Sequence, residues 1–470
     1  MLEQSFSSPA DCRQLIASRN DGSMPQEPYQ RIMQSVFEKL LRRKCLEDPN
    51  ITMLFGTFDG LKESDDGVIS TLALLGTCAN TNVHSRYVIG CDGSKSRVRQ
   101  AVGINMHGEQ LPVKYFLVHF RSKDLKRMHC QGPFWHIFYI NGGVLISQDE
   151  IDTWTIHQAF PLDVDPSAVN PMDVIFNVLG GLVGPYMIDV DEILVSGFWR
   201  PSTYTANAYR SLEGRVFLAG DSAHQCIPTG AYGMNTGVGD GWDVSWKIAA
   251  VLNGFGGEQL LRSYDNERKH VGLRNVARSG ELMQVHLTYL EWVQSASEGC
   301  LHSADSEAGR VLREKIVRHV ESNDTEIAEE GLGLDYRFPD SPVVVSESTP
   351  QQPNWELLHY TPSTLPGHRA PYLVLSDGLT STYDLYGPWY SIFDFSADGD
   401  AAKIFSNVAG ELNIPLEPVN LPGESHVKRT WEREAVLIRP DGYVAWRSSP
   451  TAGLVDENTA KAALLIAVGS

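Results

Sequence analysis

Apolar and polar residues repeat along the chain with two different periods, which divide it into β-rich and helical parts. Between about residues 111 and 205, apolar residues alternate with polar ones, and this period of two predicts a mostly antiparallel sheet. From about Gly257 to Val320 the apolar spacing is three to four, which is typical of helices. The segments with period two are Lys114 to Arg121, Phe134 to Ile146, Trp154 to Phe160 and Ile193 to Arg200.

The N-terminal part combines a predicted helix with short β-like runs. Residues 1 to 24 are polar and show no clear period, so we expect an ill-ordered lead-in. From Pro28 an apolar stripe predicts a helix, and three runs joined by Gly, Asp and Asn predict a hairpin that feeds a strand. The stripe comprises Ile32, Met33, Val36, Phe37, Leu40 and Leu41, and the runs are Ile51 to Phe55, Val68 to Leu75 and Tyr87 to Gly90.

The stretch from Arg215 to Gly254 has the pattern of a ligand-binding strand, loop and helix. The apolar residues Val216 to Ala219 predict a buried strand that ends at Gly220-Asp221. A glycine-rich loop then leads into a helix, whose N-terminal N–H groups favour an anion or a developing negative charge. The positions that recur at spacings of four and three in this amphipathic helix are Val238, Trp242, Ser245, Ala249 and Leu252.

The C-terminal part predicts a separate small domain. Residues 336–366 are rich in Pro, Ser and Gln and indicate a linker. Over 367–470, strand and helix patterns alternate and include a hairpin turn at Pro440-Asp441-Gly442, which predicts an α/β domain. The predicted strands are Tyr372 to Leu375, Tyr390 to Phe395, Leu416 to Asn420, Ala435 to Arg439 and Tyr443 to Arg447, and the predicted helices are Asp400 to Leu412 and Thr459 to Val468.

Composition narrows the class of protein. A chain of 470 residues exceeds the size of one core, so roughly two or three domains are expected. The net charge of −19 argues against nucleic-acid partners, and no apolar run reaches the roughly 18 residues of a membrane span. The N-terminus shows no secretory signal, so we expect a cytoplasmic protein. Seven cysteines without CxxC spacing indicate free thiols and no metal site.

Three motifs, taken together, resemble those of the class A flavoprotein monooxygenases, which are FAD-dependent aromatic hydroxylases. They are Arg31-x-x-Gln34-x-x-x-Glu38, Cys91-Asp92-Gly93-x-x-Ser96-x-Val98-Arg99, and Gly220-Asp221-Ser222-Ala223-His224 with Pro228 and Gly233-Met234-Asn235. The resemblance covers about residues 28 to 320. The segment PGHRAPYLVLSDG onward to LIRPDGYVAWR resembles the thioredoxin-like domain of the phenol hydroxylase and polyketide hydroxylase branch.

The resemblance implies a mixed α/β fold and a flavin-dependent reaction. A Rossmann-like FAD-binding domain over 1–110 and 206–335 would be interleaved with a β-rich substrate-binding domain over 111–205, and a thioredoxin-like domain without CxxC would occupy 367–470. The implied enzyme uses FAD, NADPH and O₂ to hydroxylate a small phenolic substrate through a flavin C4a-hydroperoxide, in secondary metabolism or aromatic degradation. Baeyer–Villiger oxidation and epoxidation remain open as alternative chemistry, and a homodimer as a partner.

The resemblance also implies which residues form the site. Asp221 would hold the ribityl chain, and Gly233, Met234 and Asn235, with Pro228 and Ala231, would face the flavin pyrimidine edge. Arg31 and Gln34 would contact the flavin, and Asp92 and Arg99 would lie near FAD and the nicotinamide cofactor. The base that ionises a phenol varies among such enzymes, and the candidates on the β-rich segment are His157, His136 and Tyr139, followed by Gln148 and Trp199.

Two departures qualify the resemblance. No strand, GxGxxG turn and helix occur ahead of residue 28, so we expect the FAD-binding domain to lack its first βαβ unit. This leaves open a truncated or degenerate, non-catalytic homologue that acts as a dimerising or binding protein. In addition, the family often has Gly-Gly where Gly230-Ala231 stands and Asn where Asp243 stands. An alanine fits there if its φ is negative.

Overall fold

The computed structural model describes residues 7–76, 80–149, 151–296, 306–326, 328–347, 352–450 and 455–470. The helices are α1 Pro9–Arg19, α2 Gln34–Glu47, α3 Arg97–Ala101, α4 Pro171–Gly180, α5 Tyr232–Leu252, α6 Glu258–Gln294, α7 Glu307–Asn323, α8 Glu330–Leu334, α9 Asp400–Leu412, α10 Ser425–Trp431 and α11 Glu457–Val468. The strands are β1 Gly56–Ser64, β2 Gly67–Leu74, β3 Asn80–Ser85, β4 Val88–Gly90, β5 Met106–Gln110, β6 Lys114–Arg121, β7 His136–Phe138, β8 Val144–Ser147, β9 Thr153–Phe160, β10 Glu192–Trp199, β11 Ser202–Ala206, β12 Val216–Leu218, β13 His224–Gln225, β14 Tyr390–Asp394, β15 Leu416–Asn420, β16 Ala435–Ile438 and β17 Val444–Arg447.

The segment with period two forms the predicted antiparallel sheet, in the order β10-β6-β9-β8-β7. Its strands pair in antiparallel register, for example Val118 with Ile156. Alternate side chains such as Val118, Phe120 and Trp154 are fully buried, and helix α4 contributes Ile175 to the same core. The prediction of an antiparallel sheet is therefore confirmed. One face of each strand is apolar, and packing the strands into one sheet buries that face.

The N-terminal part differs from its prediction. The lead-in expected to be ill-ordered contains helix α1, whose first turn is capped by Ser8 Oγ accepting from Asp11 N at 3.1 Å. Asn20 then exchanges two hydrogen bonds of 2.8 Å with the backbone of Val374 in the C-terminal domain. A contact across more than 350 residues fixes this segment, so its local period gave no sign of it.

The next elements are also shifted from their predicted bounds. Helix α2 begins at Gln34 rather than near Pro28, and none of its residues is buried. The run from Ile51 to Phe55 is not a strand. A three-stranded sheet, β1-β2-β3, follows it instead, and β4 lies next to β12 in a two-stranded parallel sheet. The junction after β4 is tight, because a Cβ on Gly90 would lie 2.7 Å from Val98 Cγ1.

Helix α5 buries a different face from the one its apolar spacing suggested. Val238, Trp242 and Leu252 are 52%, 62% and 44% exposed. The buried face carries polar and apolar side chains in mixture: Thr236, Asp240, Asp243, Val244, Trp246, Lys247, Ile248 and Ala250. Charged residues are buried on this face because they pair with one another. The spacing of apolar residues alone therefore does not identify the buried face of α5.

The C-terminal strands form one sheet in the order β15-β14-β16-β17, with β14 and β15 parallel and the other pairs antiparallel. The predicted alternation of strands and helices over 390–468 is confirmed. Phe405 and Leu464 share a core with Trp246 and Leu260, so this domain packs directly on α5 and α6. In the described parts of the chain, no helix is long and apolar enough to cross a membrane.

Residues 336–366, predicted as a linker, contain no helix or strand in their described parts. They are packed nonetheless. Phe338, Val343 and Tyr360 are buried, and Ser341 Oγ donates to Glu267 Oε1 at 2.5 Å. The segment therefore joins the two domains by side-chain contacts.

Candidate active site

One large cavity, of about 3280 Å³, runs from the strand–loop–helix segment to the edge of the antiparallel sheet. Its wall combines parts of the chain that are distant in sequence. Among the described lining residues are Arg31, Gln34, Trp135, His136, Asp221, Pro228, Ala231, Gly233, Met234, Asn235, His286, Glu326, Asp441 and Tyr443. Eight of the ten residues expected to bind the cofactor line this cavity; Asp92 and Arg99 do not.

The loop between β12 and α5 reverses the chain with two consecutive left-handed residues. Gly230 has φ 78° and Ala231 has φ 55° and ψ 29°. The condition under which an alanine fits without strain, a negative φ, is therefore not met at Ala231. The turn into α5 requires a left-handed residue here, which costs an alanine about 1 kcal/mol relative to its preferred conformation.

The first turn of α5 presents the backbone of Gly233, Met234 and Asn235 to the cavity. The space beside Gly233 is open, because a Cβ built there meets only Cys226 Cβ, at 3.8 Å. Helix α5 has 21 residues, so its N-terminal N–H groups and dipole favour negative charge at this point. Asp221 lies at the other side of the loop, exposed to the cavity.

Asp240, which the sequence analysis missed, fixes the shape of this loop. It is fully buried and accepts hydrogen bonds from Gly220 N at 3.0 Å, His224 Nε2 at 2.7 Å and Arg268 Nε at 2.8 Å. Burial raises the pKa of Asp240, but the charge of Arg268 and the bond from His224 outweigh it and hold the pKa below its usual value. His224 is thus part of the support of the loop.

Asp92 and Arg99, which follow strand β4, support the loop between β12 and α5. The carboxylate of Asp92 accepts from Ser96 Oγ at 2.5 Å and from Arg97 N at 2.7 Å, which fixes the turn into α3. Arg99 is buried and donates to the carbonyl of Ser222 at 2.9 Å. These contacts join the end of β4 to the end of β12.

Arg31 and Gln34 line the cavity from the opposite side. Arg31 lies in an extended segment and donates through Nη1 to the carbonyls of Ser147, at 2.7 Å, and Trp135, at 3.2 Å. Burial lowers the pKa of Arg31. Gln34 begins helix α2 and donates to Glu38 Oε1 at 2.7 Å. Arg31 therefore attaches the N-terminal segment to the edge of the antiparallel sheet.

The three candidate bases lie in different surroundings. His136 lines the cavity, and burial, followed by the charge of Arg31, lowers its pKa to about 4. His157 is not a lining residue; its Nδ1 accepts from Trp199 Nε1 at 3.2 Å, and burial lowers its pKa to about 4. Tyr139 also lies outside the lining, and burial raises its pKa to about 12.

The C-terminal domain contributes to the cavity wall, although its sequence contains no site motif. Asp441 and Tyr443 line the cavity beside Asp243 of α5. Beneath them, Arg439 donates to both oxygens of Glu267, at 2.6 and 2.8 Å. The carboxylates of Asp243, Glu267 and Asp441 lie within 4.8 Å of one another, but the cations Lys247 and Arg439 already pair with them.

Two family models match the chain, and together they cover most of it. An FAD binding domain matches residues 13–279, and the C-terminal domain of aromatic-ring hydroxylases matches residues 363–470. The chain belongs to the FAD-dependent aromatic-ring hydroxylases. It is accordingly an FAD-dependent monooxygenase.

Individual relatives of this hydroxylase agree with the family models. It is 36% identical to the FAD-dependent monooxygenase apdD of Emericella nidulans, over 93% of this chain and 72% of apdD. It is 36% identical to the FAD-dependent monooxygenase opdD of Penicillium oxalicum, over 97% of this chain and 88% of opdD. The structure of the flavin-dependent monooxygenase PieE in complex with FAD and substrate matches with a TM-score of 0.78 and 25% identity, covering 96% of this chain and 81% of PieE.

The residues of the hydroxylase fit the flavin part of FAD. A carboxylate that faces the cavity, at Asp221, can accept hydrogen bonds from the ribityl hydroxyls. The N–H groups of the first turn of α5 are suited to the electron-rich edge of a flavin ring, and the open space at Gly233 admits it. The buried contacts of Asp240 hold these two parts in place.

Proposed function

We propose that this hydroxylase uses FAD, NADPH and O₂ to hydroxylate a phenolic, polycyclic aromatic substrate in secondary metabolism. The observation that carries the proposal is the single cavity, which joins the flavin-binding loop to an aromatic wall at β7. Its volume of about 3280 Å³ is well above the roughly 300 to 1,000 Å³ of a typical ligand pocket. It therefore has room for a dinucleotide and a substrate side by side, as the relative PieE binds both.

FAD, when bound, would be reduced by NADPH and would transfer one oxygen atom from O₂ to the substrate. The protein holds the flavin through Asp221 and the first turn of α5, where the helix dipole stabilises negative charge on the ring system. Trp135 and Phe138 line the cavity and offer flat apolar surfaces to an aromatic substrate. We also infer that residues 367–470 form a thioredoxin-like domain, which the strand order β15-β14-β16-β17 supports.

The test is to measure FAD binding and NADPH oxidation separately. FAD affinity of the purified chain is measured directly by the absorption of the retained flavin. Hydroxyanthraquinones are then added, NADPH oxidation is followed, and products are identified by mass spectrometry. Yellow protein whose NADPH oxidation rises with the aromatic compound is the expected result.

Two results would contradict the proposal in different ways. Protein that stays colourless with added FAD would favour a non-catalytic binding homologue. Products that carry an inserted ring oxygen or an epoxide would replace hydroxylation by Baeyer–Villiger oxidation or epoxidation with the same cofactors.

A further inference from the structure

A histidine on helix α6 lines the substrate end of the cavity with one ring nitrogen unpartnered. His286 is 6% exposed, and its ring stacks on Phe138 of β7 at 4.3 Å between ring centres. Its Nδ1 lies 3.2 Å from the hydroxyl oxygen of Tyr289. Its Nε2 is buried and has no hydrogen-bond partner among the described residues. Buried polar nitrogens are nearly always paired, so this nitrogen indicates a missing ligand.

A carboxylate with the same property lies beside it. Glu326 Oε1 is 3.7 Å from His286 Nε2, which is beyond hydrogen-bond distance. This oxygen is also buried without a hydrogen-bond partner in the described part of the chain. Glu326 lines the cavity with His286. The two atoms therefore face one another within side chains that line the cavity, and a hydroxyl group that separates them would satisfy the nitrogen.

The position of His286 along α6 relates it to the flavin-binding loop. Ser279 of the same helix contacts that loop twice: its Oγ accepts from Ile227 N at 3.2 Å, and its carbonyl accepts from Thr229 Oγ1 at 2.6 Å. His286 follows Ser279 by two helical turns, which places it on the same face about 10 Å further along the axis. A fused aromatic ring system spans a distance of this order.

Other titratable groups surround His286 on every neighbouring element. On β7 it faces His136, whose pKa it helps to lower; on the segment after α7 it faces Asp324, whose pKa burial and Glu326 raise. On its own helix burial raises the pKa of Tyr289, so that this phenol stays neutral. Other charged or titratable groups around Glu326 include Arg31, Tyr29, Tyr232, Glu329 and Arg278, which pairs with Glu329.

We propose that His286 is the base that takes the proton from the phenolic hydroxyl of the substrate, and that Glu326 and Tyr289 position and stabilise it. This inference rests on the proposed function. The phenol O–H bond breaks and an Nε2–H bond forms, so the substrate becomes a phenolate and His286 an imidazolium ion. Tyr289 accepts from Nδ1–H and keeps the lone pair on Nε2, while the Glu326 carboxylate balances the new positive charge.

His136 is the nearest competitor on the same wall. It lies close to the positive charge of Arg31, which, after burial, lowers its pKa to about 4. A base with this pKa is weak at neutral pH, because the ideal catalytic pKa lies near the working pH. His286 instead has the Glu326 carboxylate beside it. Geometry and charge therefore favour His286 over the candidates on the sheet.

The test uses alizarin, a dihydroxyanthraquinone whose colour reports its ionisation, bound to the full chain with FAD. The variants are His286→Gln, Glu326→Gln and Tyr289→Phe. His270→Gln is the matched control, since His270 is an exposed residue of the same helix. We expect wild-type protein and the control to raise the acid dissociation constant of bound alizarin roughly tenfold or more above that of free alizarin, which means that the pKa of its hydroxyl group falls. His286→Gln should abolish this shift, and Glu326→Gln should reduce it.

A kinetic measurement separates a base from a structural residue. With alizarin as substrate, His286→Gln should lower kcat at neutral pH roughly a hundredfold, and activity should recover at high pH, where the phenol ionises without help. If the ionisation constant of bound alizarin stays shifted in a folded His286→Gln protein, and also in Glu326→Gln and Tyr289→Phe, the inference is overturned. Wild-type protein that stays colourless with added FAD would instead overturn the proposed function beneath it.

Discussion

Replacing Arg439 by methionine should weaken the contact between the C-terminal domain and helices α5 and α6. Arg439 is fully buried and makes two hydrogen bonds to Glu267 of α6 and two to Asp441, of 2.5 and 3.1 Å. Burial opposes ionisation of Glu267, but Arg439 and Lys247 hold its pKa far below the usual range. After Arg439 is removed, Lys247 remains paired with Glu267 at 2.7 Å.

The size of the effect follows from the burial of both partners. Removing one side of a buried ion pair costs about 3 to 5 kcal/mol, because the remaining charge is left without compensation. Glu267 keeps Lys247 at 2.7 Å and Ser341 at 2.5 Å, so we expect the lower end, about 3 kcal/mol. In the double variant Glu267→Gln/Arg439→Met the charge of Glu267 is gone, although Asp441 still lacks its partner, and the two costs should fall short of their sum by about 1 to 3 kcal/mol.

Urea unfolding followed by tryptophan fluorescence measures this loss. The Arg439 guanidinium lies 5.6 Å from the centre of the Trp246 ring, so one of the ten tryptophans lies at the domain contact. Arg262→Met is the matched control, since its pair with Glu258 is 3.2 Å long but more than half exposed, and it should cost less than about 1 kcal/mol. An Arg439→Met protein within about 1 kcal/mol of wild type, or a double variant no better than additive, would refute the reasoning.

Three further predictions concern the loop and helix α5. Ala231→Gly should raise the unfolding temperature slightly, because it relieves about 1 kcal/mol of strain at a left-handed residue. The control Ala249→Gly, within helix α5, should lower the unfolding temperature. A lower unfolding temperature for both variants would contradict the argument. Asp221→Ala should weaken FAD retention while far-ultraviolet circular dichroism stays unchanged, and unaltered flavin content would argue against the ribityl role. Burial raises the pKa of Asp243 to about 7, so its charge destabilises the folded protein increasingly as pH rises from about 4 to 7. Asp243→Asn should therefore gain stability relative to wild type over this range in urea unfolding, and a parallel pH dependence of the two proteins would count against it.

The sequence predicted those parts of the fold in which local patterns carry the information. The antiparallel sheet followed from period-two segments such as Trp154 to Phe160, and the C-terminal strands and helices from their alternation. The order of the motifs identified the family. It also identified Asp221, Gly233 and Asn235 as residues that line the cavity, because glycines mark the end of the strand and the start of the helix. The expected flavin and nicotinamide contacts of Arg31, Asp92 and Arg99 remain predictions.

What the sequence could not predict depends on contacts between distant segments. Helix α1 is fixed by Val374 and the shape of the loop by Asp240, and the buried face of α5 is set by ion pairs of Lys247 with α6 and of Asp243 with Arg439. His286 resembles any other residue of a long helix until folding places it between Phe138 and Glu326. The sequence by itself determined the family, the antiparallel sheet and the loop between β12 and α5. Only the tertiary structure decided which charges are buried together, because burial and pairing are properties of residues that meet in space.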